Sequence, residues 1–116
     1  MSVAAPLGCL RTLPARRLRD AAVVALLAVG LSPTQVAGLD VADLVDELGR
    51  VREQLEVDGE PVSLTPAARV LLEVWIDVRG KAGHALVVPV HIDRPGRRRL
   101  ARAEVESILR RTSASA

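Results

Sequence analysis

A chain of 116 residues has room for one domain and one core. Apolar residues make up 49% of it, which excludes a disordered chain, but Trp75 is the only aromatic residue, so the core must be built from Leu, Val, Ala and Ile. The net charge of +2 does not by itself argue for a nucleic-acid partner, yet its distribution is uneven. Residues 1–39 carry +3, 40–60 carry −6, 61–93 balance at zero and 94–116 carry +5, so both ends are basic and the middle is acidic.

Cys9 is the single cysteine, so no internal disulfide forms and no second thiol completes a zinc site. This suits a reducing compartment, and a cytoplasmic location is expected. The apolar run Ala21–Val29 is about half the length of a membrane span and Asp20 interrupts its approach, which argues against membrane insertion. Arg16-Arg17 ahead of that run resembles a twin-arginine signal, but Arg19 and Asp20 spoil the pattern.

Residues 1–14 hold Pro6, Gly8 and Pro14 without an apolar period and read as a flexible arm; a single domain is expected over 15–111, with a loose tail over 112–116. The spacing of Leu18, Ala22, Ala25, Leu26 and Val29 predicts a largely buried helix over Arg16–Val29, ended by Gly30. Ser32-Pro33-Thr34-Gln35 has the form of a capping box with Pro at the first helical position, predicting a short helix to about Leu39. Asp40 can cap a further turn or two through Val41–Leu48. From Arg50 to Leu64 the period changes to two, with Asp58-Gly59 as a hairpin turn and Pro61 confining the second strand to an edge.

Thr65-Pro66 opens the next helix, which places Val70, Leu71, Val74, Trp75 and Val78 on one face and stops at Gly80. Ala85–Val88 reads as a short buried strand and Asp93-Arg94-Pro95-Gly96 as a turn. A last amphipathic helix is expected from about Ala101 to Arg111, with Val105, Ile108 and Leu109 inward and Arg98, Arg99, Arg102, Arg110 and Arg111 facing solvent.

This order of elements resembles the catalytic domain of the tyrosine recombinases, or phage integrases. Val29-Gly30-Leu31-Ser32-Pro33-Thr34-Gln35-Val36 is similar to the family's Thr-Gly-Leu-Arg-x-Ser-Glu-Leu motif. Ala37-Gly38-Leu39 and Asp43-Leu44 are similar to the apolar pair and the Asp-containing segment that succeed that motif. Pro61–Pro66 is similar to the strand that ends in Val-Pro-Leu-Ser/Thr-Pro. Leu86-Val87-Val88 and Arg97–Val105 are similar to the Leu-Phe-Val and Arg-Leu-Ser-Arg-x-x-Val stretch. The resemblance covers about residues 16–111. It implies a mainly α fold with a small β hairpin or sheet, like the first half or more of that domain, with the C-terminal part missing.

The departures from the family pattern bear on activity. Family chemistry uses an Arg on the scissile phosphate, a Lys as general acid, a His/Arg pair and a Tyr nucleophile. Ser32 stands where the first Arg belongs, and a neutral hydroxyl cannot neutralise the phosphorane as a guanidinium does. No Lys lies in Arg50–Leu64, the chain holds no tyrosine, and it ends at Ala116, about where the family's His-x-x-Arg helix begins. The resemblance therefore implies no enzyme activity of this type, no cofactor, no metal and no small-molecule substrate.

What remains is a binding role. Arg97, Arg98 and Arg99 with Arg102, Arg110 and Arg111 form the cluster best suited to the phosphates of double-stranded DNA, although a solvated basic face has the same composition. Arg11, Arg16, Arg17 and Arg19 could widen that footprint or simply face solvent at a helix start. The acidic segment Asp40–Glu60 offers an alternative, a protein partner or a homodimer; its paired carboxylates lack ligand geometry for magnesium. His84 and His91 have no neighbours at metal-ligand spacing. A second DNA-binding reading makes Gly30–Leu39 the turn and first helix of a helix-turn-helix transcriptional regulator, with Val41–Leu48 as recognition helix, but Asp43, Asp46 and Glu47 on that helix repel phosphate.

Overall fold

Helix α1 shows most simply how local chemistry sets the elements. In the computed structural model, which describes residues 13–80, 84–91, 94–96 and 98–115, it spans Ala15–Ala28. It ends in a Schellman arrangement, in which the Gly30 N–H reaches Leu27 O (3.1 Å) and the Leu31 N–H reaches Leu26 O (3.3 Å). That closure requires a positive φ at the residue after the cap, and Gly30 adopts +113°.

Helix α2, Pro33–Gly38, starts from the expected capping box: Ser32 Oγ accepts the Gln35 N–H (3.1 Å) and Gln35 Oε1 accepts the Ser32 N–H (2.9 Å). Helix α3 is shorter than expected. It covers Val41–Leu44 only, because Val45 turns extended and bridges to Val51, while Asp46 Oδ1 accepts the N–H groups of Leu48 (2.9 Å) and Arg50 (3.0 Å) and folds the intervening loop into a tight turn.

Strands β1 (Gln54–Val57) and β2 (Glu60–Ser63) pair antiparallel with Leu55 opposite Val62 and Val57 opposite Glu60. The two residues between them take φ +52° at Asp58 and +80° at Gly59, the primed turn that the Asp-Gly pair favours. Helix α4, Pro66–Arg79, is capped by Thr65 Oγ1 accepting from the Ala68 N–H (3.1 Å).

The buried face of α4 matches the expected one except at one position: Val74 and Trp75 are buried, and Leu71 and Val78 are partly buried against the core. Val70 is 39% exposed, whereas Ala68, Leu72, Trp75 and Arg79 are buried. Packing against α1 selects this stripe at i, i+4, i+7 and i+11, and the aliphatic stem of Arg79 completes it.

Ala85–Val88 is buried as expected but is not a strand. Its backbone is satisfied piecemeal instead: Ala85 bridges to Asp40, the Leu86 N–H reaches Leu39 O, Leu86 O accepts the indole N–H of Trp75 (2.9 Å), and Val87 O accepts the Leu100 N–H. Pairing moves downstream, where β3 (Val90–His91) and β4 (Arg94–Pro95) form a second two-stranded antiparallel ladder, so Arg94 and Pro95 lie in a strand rather than in the turn expected over Asp93–Gly96.

Helix α5, Arg102–Ser115, starts one residue late and runs four residues past its expected end at Arg111, through most of the segment read as a tail. Val105 and Ile108 are buried on it, but Leu109 is 37% exposed, since the core lies on the 105/108 side of the helix. The chain is thus mainly helical with two small antiparallel ladders. Helix α1 is the central element, packed against α4 and α5, and α2 rests on α5 as well. Residues 1–12 of the expected arm, with Cys9 and Arg11, lie outside the described residues, as do Arg97 and Ala116.

Candidate nucleic-acid interface

The arginines that lead into α5 are placed by their carboxylate and carbonyl neighbours. Arg98 and Glu104 form a two-pronged pair, Nη1 to Oε1 at 2.8 Å and Nη2 to Oε2 at 3.1 Å. Glu104 is the third residue of α5 and its Oε1 also accepts the Ala101 N–H (2.9 Å), so it satisfies an orphan donor at the helix start. The Arg98 guanidinium, followed by the Ala101 N–H, holds the Glu104 carboxyl down to about 2, and the same pair raises Arg98.

Arg99 points elsewhere. Its Nη1 donates to Ala37 O (3.1 Å) and Leu39 O (3.0 Å), the carbonyls at the end of α2, and its Nη2 pairs with the Asp40 carboxylate. A cation at a helix C-terminus is favourably placed, and here it also ties two segments about 60 residues apart. Arg102 pairs with Glu106 one turn along α5 (3.2 Å). Arg98, Arg99 and Arg102 face solvent as expected, and each is also engaged by a carboxylate of the same chain.

The other half of the cluster is differently placed. Arg110 and Arg111 are exposed on the last turns of α5, where α5 packs on α1. Arg111 lies 3.8 Å from Asp20, a loose pair. Arg16 and Arg111 line one groove of about 400 Å³ together with Arg19 and Ser107, and Arg17 lines the adjacent one with Thr112. Arg16 and Arg17 are exposed, and among the described residues neither of them nor Arg110 forms an ion pair.

Arg19, a possible part of the wider footprint, is instead buried; it pairs with Asp20 (2.7 Å) and sends Nη1 toward Val88 O (3.5 Å). Nothing in the local sequence separates Arg19 from Arg16 and Arg17 except its position one residue after Leu18, on the inward side of α1. The structure brings Arg16, Arg17 and Arg111 together from the first and last helices, a grouping that the linear cluster concealed.

Ser32 is exposed and its hydroxyl is used by the α2 cap. Gln35 Nε2 donates to Asp58 Oδ2 (2.8 Å), so the cap is joined to the hairpin turn. His84 is exposed and contributes its carbonyl, which accepts the Val41 N–H (2.9 Å); the His91 side chain lies outside the described residues. Among the described residues no group of three His, Cys, Asp or Glu could hold a metal ion, and no helix is long and apolar enough to cross a membrane. Helix α3, at four residues, presents about one turn, too little to serve as the recognition helix expected over Val41–Leu48.

No family model, no curated protein and no solved structure matches this chain.

Proposed function

We propose that the chain is a non-catalytic, integrase-like protein that binds duplex DNA as an accessory or regulatory factor, and that Arg16, Arg17 and Arg110, with Arg111 beside them, contact the phosphates. The observation that carries this reading is the partition of the arginines. Arg98, Arg99 and Arg102 are engaged by carboxylates at close range, whereas Arg16, Arg17 and Arg111 line grooves between the α1 start and the α5 end, and Arg110 is exposed beside Arg111 on α5. Exposed guanidiniums neutralise phosphates and release counterions, so they supply affinity without base specificity. The resemblance to tyrosine recombinases supports DNA as the polyanion, and Ser32 in place of the phosphate-binding Arg supports binding without strand cleavage.

Fluorescence anisotropy of a labelled random duplex, at low and moderate salt, tests this. Affinity is expected to fall steeply with salt. The Arg17→Ala/Arg110→Ala pair should lower the salt slope by about one per lost phosphate contact. Arg102→Ala/Glu106→Ala should leave DNA affinity within about twofold, since it removes a compensated pair without changing the net charge. Absence of binding at low salt, or a larger loss from the second pair than from the first, overturns the assignment.

A further inference from the structure

We propose that two copies of this chain form a twofold dimer in which Leu48 of each seats in the groove between α3, the 45–51 loop and α4 of the other. Leu48 is 84% exposed, whereas the other exposed large apolar residues described, Leu13, Val70 and Leu109, are under two-fifths exposed. It stands at the tip of a loop held rigid by the two N–H bonds to Asp46 Oδ1, so it is presented as a fixed knob. The next two residues, Gly49 and Arg50, line a groove of about 600 Å³ whose apolar surface comes from Val41, Val45, Val51 and Ile76.

Knob and groove thus adjoin on one patch. A self-complementary twofold contact needs that arrangement, because each copy must donate and receive with the same surface. Charge chooses the seating. Glu47 precedes the knob and is exposed, and Arg50 is exposed on the groove rim, so Glu47 of one copy meets Arg50 of the other. Glu73 and Asp77 on the α4 wall repel Glu47, and Arg79 on that wall is buried, so Arg50 is the exposed cation of the groove lining that Glu47 meets. The dimer does not depend on DNA binding, since its patch comprises different residues from the basic face.

Sedimentation equilibrium of the full chain from about 1 μM to about 1 mM tests the proposal. The wild type is expected to pass from monomer to dimer across this range. Leu48→Asp should weaken association about a hundredfold or more, since two leucines no longer leave water, with the thermal transition unchanged at concentrations where both proteins are monomeric, because the site is exposed. Glu47→Arg and Arg50→Glu should each weaken it about tenfold, and the double variant should recover most of the loss. A wild type that stays monomeric throughout, a dimer indifferent to Leu48→Asp, or a double variant no tighter than the single ones overturns the proposed contact.

Discussion

Arg98 and Glu104 show how one ion pair can serve the fold at an exposed position. The Arg98 and Glu104 side chains retain 61% and 40% of their exposure, so Coulomb attraction alone is screened and weak. Geometry adds to it: the carboxylate accepts from a guanidinium fork and from the backbone N–H at the start of α5 at once. Its pKa in the folded chain, about 2, lies below the ordinary 4.5. The unfolded chain therefore binds this proton more readily, and the contribution of Glu104 is complete above about 4.5 and is lost as the pH falls toward 2. Urea midpoints taken between pH 6 and pH 2 should accordingly drop more for the wild type than for Glu104→Gln, which removes the titrating group; equal pH dependence of the two would contradict this placement.

At the scale of elements, the caps explain both the regularity of the helices and the state of Ser32. Its hydroxyl has a partner in the Gln35 N–H, and Gln35 in turn reaches the Asp58 carboxylate of the hairpin turn. Ser32→Arg exchanges a cap for a side chain that cannot accept a hydrogen bond. It should cost about 1 kcal/mol, the usual value of an N-cap, measured as a shift in urea midpoint at constant slope. It should confer no strand cleavage on a nicked or intact duplex, because the chain carries no tyrosine to attack the phosphate.

For the whole molecule, α1 is the element on which the others depend. Its buried side chains, Leu18, Ala22, Val23 and Leu26, share one core with those of α4, α5 and the 85–88 segment, whose backbone bonds go singly to Leu39, Trp75 and Leu100. Helix α5 contributes Val105 and Ile108 to that core, so it is integral to the domain despite its basic sequence. Ile108→Ala should destabilise by about 3 kcal/mol, within the range for deleting buried branched side chains, and one cooperative transition should report the loss in both circular dichroism and Trp75 fluorescence. If α5 were peripheral, Trp75, on α4, would not respond.

Much of this fold is legible in the sequence because the signals are local. A capping box, a Pro at the first helical position, an Asp-Gly turn and a helix-ending Gly each act within about four residues, and α1, α2, β1, β2 and α4 begin and end close to where those signals stand. Asp40 is an equally local signal for the start of α3, but the end of that helix is set by Val51, six residues after Val45, and the rotation of α4 by the surface of α1. The basic cluster is legible as composition and only partly as charge. Arg99 is compensated by Asp40 and by carbonyls about 60 residues away, whereas Arg16 and Arg111 come together across nearly the full chain. Composition and spacing alone determined that the chain folds as a mainly helical domain with a core of aliphatic side chains around a single tryptophan. Only the tertiary structure decided which arginines are held close by carboxylates and which gather on an exposed face, because ion pairing depends on distances in space, and those are set by packing between elements far apart in the chain.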